Sequence, residues 1–178
     1  MIMPFRTFRA FPFLPVAFAG ILLAACTQPL PEAPKPTGKS NAAMVAEIQA
    51  AGERDKSVIN VHPLVDPGIT TLQDGARTDE RNGQFDAAAA KLDMALKRSP
   101  NSPAVLQDRA ELAIYMGHYD MAEQLAHQSW SLGSKQGPLC ARNWQTIVEM
   151  RQRVNDTASA ATASKSVEAC REPGIQRF

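Results

Sequence analysis

The sequence predicts an all-α fold: a solenoid of about three helix-turn-helix repeats, preceded by a short N-terminal helix and an extended connector. The first observation behind this prediction is that the chain nearly repeats itself at an interval of 34 residues. The matched pairs are Leu72 and Leu106, Gln73 and Gln107, Ala76 and Ala110, Gly83 and Gly117, Phe85 and Tyr119, and Ala88 and Ala122. A fixed period of this length is typical of units that stack to bury a continuous core.

The second observation is the order of residue types inside each unit. A small residue in mid-helix is followed by a Gly-x-aromatic turn and then by alanines. Glycine tolerates the left-handed conformation that ends a helix, and alanines let two helices approach closely. Each unit is therefore predicted to be a pair of antiparallel helices, with a generic Ala-rich four-helix bundle as the alternative.

A third, divergent unit follows after four inserted residues near "SLGSKQGP". The pairs that define it are 38 residues apart: Leu106 and Trp144, Ala110 and Val148, Gly117 and Asn155, and Ala122 and Ala160. Its first helix is predicted to bury Trp144, Ile147, Val148 and Val154. Asn155 is predicted to turn the chain, because asparagine tolerates the left-handed cap next best after glycine.

The period, the spacing Ala88-x3-Leu92 and the position of Pro100 resemble the tetratricopeptide repeat, TPR. The chain departs from the family pattern at Gly75 and Arg109, where leucine is usual. The resemblance implies repeats over about 69–102, 103–136 and 139–171, within a domain of 69–172 that is followed by a tail, 173–178.

A TPR domain has a concave surface, lined by the first helices of its repeats, that holds a peptide segment or a partner helix. In this register the expected groove residues are Gln73, Arg77, Arg81, Gln107, Glu111, Tyr115, Arg142, Gln145 and Glu149. The stacked glutamines suggest amide contacts to an extended backbone, and a solvated helix face is the alternative for each residue. The basic and asparagine residues with which some TPR domains hold a C-terminal carboxylate do not recur, which disfavours that mode.

The N-terminus indicates a targeting segment. Arg6 and Arg9 precede an apolar run that is shorter than the roughly 20 residues needed to span a bilayer. The run ends in "LAAC", which resembles the lipobox of bacterial lipoproteins. The resemblance implies a signal peptide over 1–25, acyl chains on Cys26 and, because Thr27 replaces the aspartate of inner-membrane retention, an outer-membrane anchor facing the periplasm. An ordinary signal peptide or an uncleaved anchor is the alternative.

Residues 26–40 hold four prolines, which favour an extended tether between the lipidated cysteine and the domain. Residues 41–68 are predicted to form the N-terminal helix and the connector. The helix should begin after Ser40 or Asn41 and carry one apolar face. That face consists of Met44, Val45, Ile48 and Ala51.

Cys140 and Cys170 remain once Cys26 is assigned to lipid, and the periplasm is oxidising. Their midpoint is residue 155, so each lies about 22 Å along its helix from the same turn. The sequence therefore predicts a disulfide between them. A catalytic thiol, a zinc site or a haem attachment is less well supported, because no paired histidine, Cys-x2-Cys or Cys-x2-Cys-His motif accompanies either cysteine.

The remaining composition argues against catalysis and nucleic-acid binding. Loss of Arg6 and Arg9 leaves 17 basic residues (19 less two) against 18 acidic ones, so no electrostatic footprint for nucleic acid remains. His62, His118 and His127 belong to no paired motif, and there is no phosphate-binding loop or nucleophile elbow. We therefore expect a protein with no catalytic residues, metal or cofactor.

Two functions fit these expectations. The first is a lipid-anchored periplasmic adaptor or scaffold that binds a segment of another envelope protein. The second is a structural or self-associating subunit of an outer-membrane or cell-envelope assembly, whose groove is filled by its own connector, 56–68.

Overall fold

The structure is a computed structural model, and it describes residues 38–54 and 66–171. The predicted signal peptide, the lipidation of Cys26, nearly all of the tether, the connector up to residue 65 and the tail lie outside the described residues. The described residues form seven α-helices and no strands: α1 Asn41–Glu53, α2 Pro67–Arg81, α3 Phe85–Arg98, α4 Pro103–Tyr115, α5 Tyr119–Leu132, α6 Pro138–Arg153 and α7 Thr157–Ala169. The prediction of an all-α fold is confirmed. None of these helices combines the length and the apolar character that a membrane crossing requires.

Three helices, α1, α2 and α7, begin at a side chain that caps the first turn. The Ser40 hydroxyl accepts a hydrogen bond from the Ala43 amide, and the Asp66 and Asp156 carboxylates cap α2 and α7 in the same way. Proline opens α2, α4 and α6, at a position whose backbone N–H has no partner inside a helix.

All three hairpin turns have the same left-handed cap. Gly83, Gly117 and Asn155 have φ of +71°, +78° and +60°. In the second hairpin, the Gly117 amide donates to the Ile114 carbonyl at 3.0 Å and the His118 amide donates to the Ala113 carbonyl at 2.8 Å. The first and third hairpins repeat both bonds, which is the Schellman pattern that satisfies the last carbonyls of a helix.

Helices α2 and α3, α4 and α5, and α6 and α7 form three antiparallel hairpins that stack in chain order. The alanines at matched positions, Ala76, Ala88, Ala110 and Ala122, are completely or almost completely buried. Their small side chains allow the close helix approach that the repeat pattern predicts. Phe85 stacks on Tyr115 across the first and second repeats, with ring centroids 5.0 Å apart.

One residue that the sequence predicts to be buried is exposed in the structure. Ile147 and Val148 are buried and Trp144 is half-buried, as expected, but Val154 is 59% exposed. Helix α6 ends at Arg153, and Val154 is its C-cap. The prediction for Val154 is wrong because the helical periodicity no longer applies beyond the last turn.

Helix α1 runs antiparallel to α6 and packs against α6 and α4. Its predicted apolar face is buried without exception: Met44, Val45, Ile48 and Ala51 are each 3% exposed or less. Three of these side chains belong to a cluster with Ala113, Ile114, Ala122 and Met150.

We predict that Gly117→Ala destabilises the fold by about 1–2 kcal/mol, because a left-handed residue with a Cβ meets its own carbonyl group. A Cβ added at Gly117 would have no neighbouring atom within 4 Å, so the backbone alone accounts for the loss. Urea unfolding measures it. The matched change Asn155→Gly, at a turn of the same geometry, should leave stability unchanged or raise it, and an unaffected Gly117→Ala would contradict the left-handed cap.

Candidate functional site

The first helices of the repeats, α2, α4 and α6, form the face that a TPR domain uses for binding, and α1 covers part of this face. The contacts of α1 lie along α6 and α4, over the second and third repeats. Gly52 makes the close approach possible. A Cβ at this position would lie 2.9 Å from the Arg142 Cγ atom and 3.2 Å from the Pro138 carbonyl oxygen.

Polar contacts hold α1 at several points along its length. The Lys39 Nζ atom, just before the helix, lies 2.9 Å from the Glu149 Oε1 atom. The Tyr119 hydroxyl donates to the Asn41 Oδ1 atom at 2.9 Å, and the Gln49 amide donates to the Glu111 Oε2 atom at 3.3 Å. The concave face over these two repeats is therefore filled by the chain itself.

Three of the predicted groove residues lose their access to a partner in this arrangement. Gln107, Glu111 and Glu149 are 0%, 3% and 1% exposed. The Gln107 amide donates to the Glu111 Oε1 atom at 2.8 Å and to the Thr146 hydroxyl at 2.9 Å, so it bridges α4 and α6. The predicted row of glutamines facing an extended peptide is wrong, because this central glutamine is buried.

Three further predicted residues do not line an open groove either. Tyr115 is half-buried beneath Phe85, and the Gln145 amide donates to the Glu149 Oε1 atom at 3.0 Å. Arg81 is exposed at the end of α2, where its Nη2 atom donates to the Thr78 hydroxyl at 3.0 Å.

Helix α1 is the segment that covers the concave face over the second and third repeats. The connector 56–68, which the self-associating alternative expects in the groove, lies outside the described residues up to 65. Helix α1 lies on this face because its apolar stripe needs a partner surface, which Ile114 and Met150 provide.

A narrower cleft stays open where α1, α2, α4 and α6 converge. Residues from five helices line it: Gln49, Gln73, Ala76, Arg77, Glu80, Leu92, Asp108, Glu111 and Arg142. The structure thus brings together four of the predicted groove residues, namely Gln73, Arg77, Glu111 and Arg142.

Arg142 is the electrostatic centre of this cleft. Its Nη2 atom lies 2.9 Å from the Asp108 Oδ1 atom, and its Nε atom donates to the Glu111 Oε1 atom at 2.8 Å. Burial alone would lower the pKa of Arg142, but the carboxylates of Glu111 and Asp108 outweigh burial and raise the pKa above its usual value. The guanidinium therefore stays charged and joins the third repeat to the second.

The Asp108 carboxylate also accepts hydrogen bonds from two side chains of α2. The Arg77 Nη2 atom lies 3.2 Å from the Asp108 Oδ2 atom, and the Gln73 amide donates to the same oxygen at 2.9 Å. This network fixes the side chains on the cleft wall by contacts between helices rather than by loops.

Glu80 is the cleft residue that the sequence prediction missed. Burial raises the pKa of Glu80, and the negative charges of Glu111 and Asp108 raise it further against the opposing effect of Arg142 and Arg77. No ion pair among the described residues includes its carboxylate. The available signal was spacing, since Glu80 lies seven residues after Gln73 and thus on the same face of α2.

No protein-family model matches the sequence, and no curated protein is significantly similar to it. Among solved structures, the chain is similar to the globular C-terminal domain of P. aeruginosa LpoP, at 28% identity and a TM-score of 0.55, over 58% of this chain and 98% of that one. It is also similar to the first TPR of Spaghetti (RPAP3) bound to the HSP90 peptide SRMEEVD, at 14% identity and a TM-score of 0.54, over 62% and 86% of the two chains. The chain has a TPR-like fold.

The third hairpin of this TPR-like protein brings its two cysteines together. The Sγ atoms of Cys140 and Cys170 are 2.06 Å apart and their Cα atoms 5.7 Å apart, within the range that a disulfide requires. The Gly137 amide also donates to the Cys170 carbonyl at 3.0 Å, so the open end of the hairpin is closed opposite the turn at Asn155.

Within residues 38–54 and 66–171, no three His, Cys, Asp or Glu side chains are placed to hold a metal ion.

We predict that Glu80→Gln stabilises the TPR-like domain at pH 7. The raised pKa means that the charged carboxylate is less favourable in the folded state than in the unfolded state. The stability gained by protonation is therefore full below the ordinary pKa of about 4.5 and is lost as pH rises through the raised folded-state pKa. Urea midpoints of variant and wild type should coincide in acid and separate towards pH 7.

The control for that measurement is Glu47→Gln, an exposed carboxylate on the outer side of α1. We expect no separation of the midpoints for this variant. A Glu80→Gln protein that is less stable than the wild type at pH 7 would show that the Glu80 charge supports the fold.

We predict that the cysteine pair is oxidised in the isolated protein and that its loss destabilises the domain by roughly 3–4 kcal/mol, because the bond closes a loop between residues 30 apart. Mass spectrometry after thiol labelling without reductant should find both cysteine peptides unlabelled. Cys140→Ser and Cys170→Ser should have equal unfolding midpoints, since each breaks the same bond. A labelled Cys140 in protein isolated without reductant would contradict the pairing.

Proposed function

We propose that this TPR-like protein is a lipid-anchored periplasmic adaptor, non-enzymatic, that holds a segment of another cell-envelope protein. The observation that supports this function best is the open polar cleft on its concave face, between α1 and α2. The Spaghetti TPR binds an HSP90 peptide, and the likeness to that domain extends to the fold only. The proposal therefore depends on the cleft itself.

The cleft is suited to binding because its walls are ordered before a partner arrives. Arg142 and Arg77 each contact Asp108, so residues from α2, α4 and α6 are held in one network. A site fixed on helices loses little conformational entropy when it binds, and more of the contact energy remains as affinity. Its polar lining favours an extended peptide or a loop over an apolar helix.

The membrane anchor is part of the same proposal and comes from the sequence around Cys26. An acylated Cys26 would leave residues 27–38 as the link to Lys39, which is held on Glu149. Fully extended, 12 residues reach about 40–43 Å, since each contributes at most about 3.3–3.6 Å. That reach lets the domain meet a partner well away from the lipid surface.

A structural or self-associating subunit is the second candidate, because α1 already covers the concave face over two repeats. If the protein self-associates, size-exclusion chromatography coupled to light scattering should show a defined oligomer that persists on dilution. A monomer would leave the adaptor as the function that the cleft supports.

We predict that a photo-crosslinking residue placed at Gln49 or Arg77, on opposite walls of the cleft, traps one dominant envelope protein in intact cells. The matched control is Lys97, an exposed residue on α3, which does not line the cleft. Crosslinking should require the anchor, so Cys26→Ser should reduce the product. Equal products from Lys97 and from the cleft positions, or none from either wall, would contradict the proposed function.

A further inference from the structure

We propose that the cleft receives a basic side chain of the partner segment, an arginine or a lysine, with Glu80 as its counter-ion. This inference rests on the proposed function and specifies the chemistry of the segment that binds. It is supported by the charges in the cleft, by the orientation of its amides and by its size.

The charges in the cleft do not balance. Three carboxylates, those of Glu80, Asp108 and Glu111, face two guanidinium groups, those of Arg77 and Arg142. Arg142 contacts both Asp108 and Glu111, and Arg77 contacts Asp108. The two guanidinium groups are thus paired with Asp108 and Glu111, which lie deeper in the cleft. The Glu80 carboxylate is left without an ion pair among the described residues.

Three basic residues of α2 and α3 make their contacts with groups other than Glu80. Lys91 of α3 pairs with Asp79, and Arg81, exposed at the end of α2, donates to the neutral Thr78 hydroxyl. Arg77 also lies 3.0 Å from the Asp74 Oδ1 atom, so its charge is shared between two acids. An incoming cation would therefore meet a carboxylate that forms no ion pair with any described residue, although Arg142 and Arg77 offset part of its charge.

The two glutamines of the cleft add hydrogen-bond acceptors. Gln49 donates to Glu111 and Gln73 donates to Asp108. An ionised carboxylate can only accept, so each amide must turn its NH2 group towards the acid. The amide oxygens are then available as acceptors, which suit a guanidinium with five N–H donors or an ammonium with three.

The size of the cleft limits the group that enters. It encloses about 70 Å³, which is space for roughly five to seven water molecules at the 10–15 Å³ that each occupies on this measure. That space matches the guanidinium or ammonium end of one side chain and excludes a helix. The rest of the segment would lie across the exposed edges of α1 and α2.

The energetics of Glu80 agree with this assignment. Its pKa is raised by burial and by two neighbouring carboxylates, so its charge is unfavourable until a cation approaches. A bound guanidinium would form a charge-assisted pair with it, the stronger class of hydrogen bond.

The experiment is an NMR titration of the ¹⁵N-labelled full chain in detergent with the tripeptide Ac-Ala-Arg-Ala-NH2. The citrulline tripeptide, which replaces the guanidinium by a neutral group of the same shape, is the control ligand. We expect saturable shifts of the Gln73, Glu80 and Asp108 amides with the arginine peptide and none with the citrulline peptide.

Glu80→Gln should lower the affinity for the arginine peptide by about fivefold, which is the upper end of the effect of a partly exposed ion pair. Glu168→Gln, an exposed carboxylate on α7, should leave the affinity unchanged. Equal shifts with citrulline, shifts outside the cleft only, or an unchanged affinity in Glu80→Gln would overturn the inference. The crosslinks from Gln49 and Arg77 would still test the adaptor function separately, because they require no particular side chain on the partner.

Discussion

The burial of the apolar stripe of α1 against α4 and α6 decides what the rest of the concave face can do. Met44, Val45 and Ile48 contribute about 1.5–3 kcal/mol each when fully buried, and a helix of 13 residues has no comparable stability alone. Because α1 covers the second and third repeats, it forms one wall of the cleft that stays open beside the first repeat.

The burial of α1 also determines which acidic side chains of the concave face need a cationic partner. Acids that would face solvent in an open groove are buried when α1 covers them, and a buried charge needs a partner. Lys39 supplies the partner of Glu149, and Arg142 supplies that of Glu111. Gly52 lets α1 lie over Arg142 without displacing it. The packing of one helix and the ionic network beneath it are therefore a single arrangement.

The sequence predicted the hairpins well because their signals are local. The glycines at the turns and the apolar stripe of α1 are each visible within a few turns of helix, and the 34-residue period is visible as a repeat along the chain. The packing partner of α1 was not visible, since the Lys39 and Glu149 contact joins residues 110 apart and no local pattern specifies it. The spacing from Gln73 places Glu80 on the same face of α2, but its unfavourable charge arises from burial and from acids on α4, which no local pattern specifies.

The direction of α1 has a mechanical consequence. Its N-terminal end lies beside Tyr119 and Glu149, and its C-terminal end lies beside Arg142 and Pro138. Tension on the chain ahead of residue 38 reaches α1 before it reaches any repeat, and the Lys39–Glu149 pair bears that load first. A pull from the N-terminal side therefore acts first on the contacts between α1 and the concave face, so the helix that narrows the binding face lies between the N-terminal chain and the three hairpins.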